Sequence, residues 1–126
     1  MLRAFLLVGV GGFLGSIARY AVNLWINKTS IANFPLATLS INLFGCLLIG
    51  LLFGIAQRNS WMQQDGWLLL ATGFCGGLTT FSTFALDQNT LLNKAQYLTA
   101  TLYAGLSLVL GLLCCRMGIW LCSPKF

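Results

Sequence analysis

The stretch that decides the fold is Gly73–Phe84, "GFCGGLTTFSTF", set inside one of the most apolar parts of an apolar chain. Gly76 and Gly77 each cost a helix roughly 1 kcal/mol relative to alanine. Thr79, Thr80, Ser82 and Thr83 follow, and their hydroxyls compete for backbone partners. A continuous helix over the surrounding apolar run, Trp67–Asn93, would extend about 40 Å at 1.5 Å per residue, against a hydrocarbon core only ~30 Å thick. The residues therefore predict a helix that breaks or unwinds around Gly76–Thr80. Carbonyls and amides freed at that depth are tolerable only where protein, water or an ion satisfies them. Half-helix C-termini and loose carbonyls suit cations, and N-termini suit anions. A glycine-rich packing face, with hydroxyls bonded back to their own helix, is the plainer alternative.

Working outward, three further segments are long and apolar enough to cross a bilayer at about 20 residues each. These are Leu2–Ile26, Pro35–Ala56 and Gln96–Leu121, and with Trp67–Asn93 they predict four spans. Between them lie "NKTSIANF", "QRNSWMQQDG" and a very short turn near Asn93–Ala95. Pro35 suits the first turn of a helix, and Trp25, Trp61, Trp67, Tyr97 and Trp120 fall near predicted ends, where amphipathic rings sit at the headgroups. The N-terminus begins like a signal peptide, but its apolar character runs on to Ile26 with no small-x-small cleavage pattern, so it reads as a retained span. The expected architecture is an all-α membrane protein, one four-helix domain over residues 1–126.

Small residues recur at four-residue spacing: Gly11 and Gly15, Gly50 and Gly54, Ala100 and Ala104. Such faces let backbones approach closely, since in lipid packing replaces the hydrophobic drive. They predict a compact bundle, with a dimer seam as an extra use. The basic residues split weakly between the two sides: Arg3, Arg58, Lys125 and Arg116 on one, Lys28, Lys94 and Arg19 toward the other. A bias this small fits either one weakly coded topology or insertion both ways up with an antiparallel dimer.

Composition narrows the chemistry. The chain is 58% hydrophobic and 7% charged, has no histidine, and carries carboxylate side chains only at Asp65 and Asp87. Acid–base catalysis and histidine–metal chemistry have almost nothing to work with, so the chain does not read as an enzyme. The net charge of +5 is scattered rather than patched, which argues against nucleic acid. Cys46, Cys75, Cys114, Cys115 and Cys122 lie in apolar runs without a CxxC pair and read as small buried hydrophobes.

Several uncharged polar groups line up with the central motif. Thr38 and Asn42 share a helical stripe that Gly45 continues, and an amide in an apolar span needs a partner. Thr99, Tyr103 and Ser107 fall at four-residue steps as a hydroxyl rail, either a wet pathway or interhelical glue. Phe81 and Phe84 share a face if the helix resumes. Their ring edges are electropositive and would meet a small anion without a full charge to trap it. Arg19 adds positive charge near one mouth. A cation pore would show acidic rings or a carbonyl filter, so the donor-rich, acid-free line favours an anion.

At these residues the chain resembles the Fluc family of bacterial fluoride channels, also called CrcB proteins. The resemblance rests on "GGFLGSIARY", on "NLFG" from Asn42 and above all on "GFCGGLTTFSTF". It implies a multi-pass protein of the bacterial inner membrane, assembled as an antiparallel dual-topology homodimer with two fluoride pathways. It also implies passive export of cytoplasmic fluoride down its electrochemical gradient. Phe81 and Phe84 match the aromatics lining those pathways, and Asn42 the pore amide. Ser82, Thr83, Tyr103 and Ser107 match polar positions at or beside the route. Gly76 and Thr79 match the break positions whose backbone carbonyls, from both subunits, hold a central structural sodium ion. Arg19 matches a vestibule arginine, with Asp87 as a candidate partner. Two positions depart from the family motif, which commonly continues with serines and a glutamate: here stand Ala85 and Asp87. The rivals are a small dual-topology proton-coupled multidrug exporter, which needs a membrane carboxylate that the first, second and fourth spans lack, and a non-transporting assembly subunit.

Overall fold

A computed structural model describes residues 1–29 and 34–122. These residues form six helical elements: α1 Leu2–Thr29, α2 Leu36–Ala56, α3 Met62–Cys75, α4 Gly76–Leu78, α5 Phe81–Asn93 and α6 Tyr97–Cys122. Four segments are long and apolar enough to cross a membrane: α1 over Leu2–Ile26, α2, the stretch Met62–Asn93 that holds α3 to α5, and α6. Among the described residues there is no β-strand. Residues 30–33 of the expected first loop, the side chain of Lys28, and Lys125 lie outside the description.

The ends differ from expectation in instructive ways. The first helix runs past Ile26 to Thr29, since no glycine or proline stops it. Pro35 sits one position before the second helix rather than in its first turn. The third begins at Met62, well before Trp67. Asn59 is the cause: its Oδ1 accepts the Met62 N–H at 3.2 Å, the N-cap arrangement that nucleates a helix. Gln63 Nε2 also donates to the Ala56 carbonyl at 2.8 Å and ties this start to the end of α2. The element that follows, α3, is wound as a π-helix over 14 residues. Such windings usually last one turn, and nothing in the residues of α3 explains the length.

Packing is organised as two parallel helix pairs. In α1 and α3–α4, Arg3 pairs with Asp65, Gly11 meets Gly73, Gly12 meets Gly77 and Gly15 meets Phe74 and Leu78. Partner numbers rise together, so the helices run in the same direction. In α2 and α6, Cys46 lies against Gly111, Gly50 against Cys115 and Gly54 against Ile119 and Cys122 in the same sense. This is what alternating traversal of a bilayer demands of first with third and second with fourth spans. The glycines make it possible: a Cβ at Gly11 would stand 2.0 Å from the Leu69 carbonyl oxygen, and one at Gly50 2.2 Å from that of Cys115. The glycine stripes are thus used within a single chain.

Two apolar clusters fill the bundle. One joins Leu52 and Ala56 of α2 to Met62, Ala71 and Cys75. The other, toward the opposite end, gathers Leu39, Leu91, Ala100 and a fully buried Tyr103. The five cysteines are free.

The α5–α6 turn closes as a Schellman motif: Gln96 N–H bonds the Leu91 carbonyl at 2.9 Å and Ala95 N–H that of Leu92 at 3.0 Å. Its left-handed position, φ 55°, is occupied by Ala95 rather than glycine. Relieving the Cβ clash should be worth roughly 1 kcal/mol. Ala95→Gly is therefore expected to raise stability by about that amount, less the added freedom of the unfolded chain. Chemical unfolding in micelles would read the gain, and a loss would mean that the turn is not populated.

Candidate functional site

The polar centre of the bundle lies between α4 and α5. Thr79 (φ −82°, ψ 155°) and Thr80 (φ −153°, ψ 122°) are both extended. Gly76 is helical, φ −63° and ψ −37°, and so is Gly77, within the Gly76–Thr80 range where the sequence predicts a break or unwinding. Gly77 is used for packing instead, since a Cβ there would lie 2.4 Å from the Gly12 carbonyl oxygen.

Two backbone donors, the Thr80 and Thr83 N–H groups, are redirected to side chains, while Thr79 N–H keeps its helical acceptor. Thr79 N–H and Oγ1–H both reach the Cys75 carbonyl, at 2.9 and 2.8 Å. Thr80 N–H, which in a continuous helix would donate to the Gly76 carbonyl, donates to Asn42 Oδ1 at 3.0 Å. Thr83 N–H, which would reach the Thr79 carbonyl, donates to Thr80 Oγ1 at 3.2 Å. Thr80 is thereby the N-cap of α5, with its hydroxyl also within 3.0 Å of Ser82 Oγ and 3.2 Å of Thr83 Oγ1. The carbonyls of Gly76 and Thr79 are left without their helical donors.

Asn42 makes a second bond, from Nδ2 to the Thr80 carbonyl at 3.2 Å. One side-chain amide thus holds both polar groups of a single residue on another helix. Gly45, one turn along α2, completes the fit: a Cβ there would lie 2.1 Å from Thr79 Cγ2.

Beside these groups opens a cavity of about 560 Å³. Asn42, Gly76, Thr79, Phe81, Phe84 and Ser107 line it. Of the candidate residues, Ser82, Thr83, Tyr103 and Arg19 do not. Phe81 is 80% exposed in the single chain. Its ring leans on Phe84 with centroids 5.7 Å apart, and Phe84 leans on Tyr103 at 5.1 Å. Phe34 closes the row edge-on to Tyr103 at 5.6 Å and 78°.

The hydroxyl rail of the last span does not stay together. Ser107 faces the cavity, while Tyr103 is buried behind Phe84 and its hydroxyl donates to Asp87 Oδ2 at 3.2 Å. The carboxylate is near enough for this contact because α5 and α6 are joined by the tight turn. Asp87 is therefore engaged by Tyr103, and Arg19 forms no ion pair among the described residues. Sequence reasoning missed the Asn42–Thr80 pairing. The signal was present in part, as an amide that needed a partner and a hydroxyl pair that needed a cap, but nothing in the periodicity joins positions 38 residues apart.

The class is set by these features: a multi-pass helical membrane protein with an uncharged, donor-bearing cavity beside two extended mid-span residues. The chain belongs to the family described as CrcB-like protein, Camphor Resistance (CrcB), which it matches over residues 6–119. It is 46% identical over 114 residues to a fluoride-specific ion channel FluC of Chlorobium chlorochromatii (strain CaD3), covering 90% of this chain and 88% of that protein. The FluC channel of Flavobacterium psychrophilum (strain ATCC 49511 / DSM 21280 / CIP 103535 / JIP02/86) is 42% identical over 118 residues, 94% of this chain and 95% of its own. That of Azobacteroides pseudotrichonymphae genomovar. CFP2 is 40% identical over 111 residues, 88% and 89% of the two chains. These are ion channels, not a class of enzyme. Four apolar helices and such relatives make the chain a multi-pass protein of the bacterial inner membrane.

Proposed function

We propose that this chain is a fluoride-selective channel that lets the anion leave the cytoplasm passively, down its electrochemical gradient. The observation that carries the reading is the cavity itself. Its lining brings an amide, a serine hydroxyl and two phenylalanine rings together with no carboxylate among them. A small, hard anion entering it loses water and needs donors in return. Asn42 has two Nδ2 hydrogens; one is given to the Thr80 carbonyl, and the other is the donor proposed for fluoride. Ser107 and the electropositive edges of Phe81 and Phe84 complete the replacement for water. Ser82 and Thr83, beside the Thr80 cap, and Tyr103, behind Phe84, act on the route through these neighbours. Arg19 raises the anion concentration at a vestibule.

In this reading Thr79 and Thr80 are the break of a discontinuous membrane helix. The Gly76 and Thr79 carbonyls are hard oxygen ligands of the kind an alkali cation takes, and diversion of their helical donors to Asn42 and Thr80 fits them for a structural sodium ion. The ion would supply fixed positive charge between two broken helices. Two copies, inserted in opposite orientations, would bring four such carbonyls together and form two pathways. The exposure of Phe81 and the cavity on one flank of the protomer support a partner there. A proton-coupled exporter is disfavoured because Asp87 is bonded to buried Tyr103 rather than presented to the cavity.

The test is efflux from liposomes holding only this purified protein, with chloride as comparison. Fast, electrogenic and fluoride-selective efflux is expected. Fluoride release no faster than from empty liposomes would refute the assignment.

A further inference from the structure

We propose that Asn42 is also a positioning residue, which holds Thr79–Thr80 extended and thereby keeps the Gly76 carbonyl open to the cation; this rests on the channel reading above. A helix heals a two-residue gap unless something competes for the groups that would close it. The competing group here is the Asn42 amide, whose Oδ1 accepts the Thr80 N–H at 3.0 Å and whose Nδ2 donates to the Thr80 carbonyl at 3.2 Å. The N–H so captured is the one whose helical acceptor is the Gly76 carbonyl. Each bond is modest alone, but both are made by one rigid planar group in a medium poor in rival partners, where an unpaired backbone group is costly.

Gly45 is an independent sign that α2 is shaped for this purpose. It lies on the same side of α2 as Asn42 and leaves room for the Thr79 methyl, which any side chain at position 45 would strike. Consecutive turns of α2 therefore serve consecutive residues of the extended pair: Gly45 admits Thr79, and Asn42 binds Thr80. The same residue lines the cavity and has one amide hydrogen that the Thr80 carbonyl does not use. One side chain thus links the anion route to the cation site, and losing it should disturb both.

The measurement is sodium affinity, read from the sodium dependence of thermal unfolding and from radioactive sodium binding to the purified full-length protein. Asn42→Ala is expected to weaken sodium at least about tenfold, the usual size for loss of a group that orients a metal ligand. Asn42→Gln keeps an amide but sets it one methylene further out; it is expected to weaken sodium in the same direction, and it decides the matter where the alanine variant does not fold. Ser107→Ala, which removes a cavity hydroxyl that makes no hydrogen bond to the Thr80 peptide, is expected to slow flux while leaving sodium affinity unchanged. Wild-type sodium affinity in Asn42→Ala or Asn42→Gln would overturn the inference, as would an equal loss in Ser107→Ala or the absence of any sodium effect on the parent protein. Fluoride enters none of these sodium readings. Failure of the channel reading would show separately, as absent efflux from the parent protein.

Discussion

Phe81→Ile is expected to lower fluoride flux on the order of 100-fold, equivalent to a little under 3 kcal/mol of added barrier, while leaving the protomer folded. The two side chains are similar in bulk but differ in charge distribution. The phenyl rim is electropositive because of the ring quadrupole, and the isoleucine surface offers a dehydrating anion nothing. Folding should survive because Phe81 is 80% exposed in the protomer, so its loss leaves no internal cavity. Phe84 keeps a ring partner in Tyr103 at 5.1 Å after its contact with Phe81 is removed. The corresponding change at Phe84 would be a poorer test. That ring packs against the cluster of Leu39, Leu91, Ala100 and Tyr103, so lost flux could come from repacking. Flux into liposomes, together with the elution profile of the purified variant, decides the matter. Near-normal flux from a well-folded Phe81→Ile protein would remove the ring edge from the mechanism.

The parts of this fold legible in the sequence are those fixed by short-range rules. Four spans could be read because a bilayer demands about 20 apolar residues at a time, and four helices of that kind are present. The α5–α6 turn was legible as a gap too short for anything else. The start of the third span was legible in principle, since Asn59 is a standard N-cap residue, but its signal sits inside a polar run that reads as loop. The partners of the small-residue stripes were not legible. A stripe reports that something comes close, and only the structure says that Gly11 meets Leu69, Gly73 and Phe74 within the same chain.

The site divides in the same way. Asn42, Phe81, Phe84 and Ser107 were identifiable as polar or aromatic exceptions on expected helices, and they line one cavity. Tyr103 was placed by four-residue spacing on a rail with Ser107, yet it turns inward to Asp87. Spacing gives the side of a helix but not which neighbour that side meets. The resemblance to a family supplied the substrate class, which periodicity could not. The extended pair shows the limit of propensity. Gly76 and Gly77 are the weakest helix formers in the motif, yet they stay helical, because departure from the helix is decided by capture of the Thr80 peptide from another helix.

Gly11→Ala is expected to destabilise the protein by about 2–3 kcal/mol, the upper part of the usual range for overpacking. One methyl group has this leverage because of what it would strike. A Cβ at position 11 would lie 2.0 Å from the Leu69 carbonyl oxygen and 2.8 Å from the Phe74 nitrogen, both backbone atoms that no rotamer change can move. The helices would have to separate along a seam that also holds Gly12 against Gly77 and Gly15 against Phe74. Within lipid that contact cannot be replaced by a general hydrophobic drive, since acyl chains are as apolar as the face they would cover. The matched control is Gly9→Ala, on the same helix, where a Cβ would meet nothing within 4 Å; it should be neutral or gain up to about 1 kcal/mol from helix propensity. Unfolding of both variants in the same mixed micelles isolates the contact from propensity. Because the seam reaches Gly77, two residues before Thr79, Gly11→Ala should also slow flux in the molecules that remain folded. Equal midpoints for the two variants would mean that the first and third spans do not meet through Gly11, and the parallel pairing of helices would have to be abandoned.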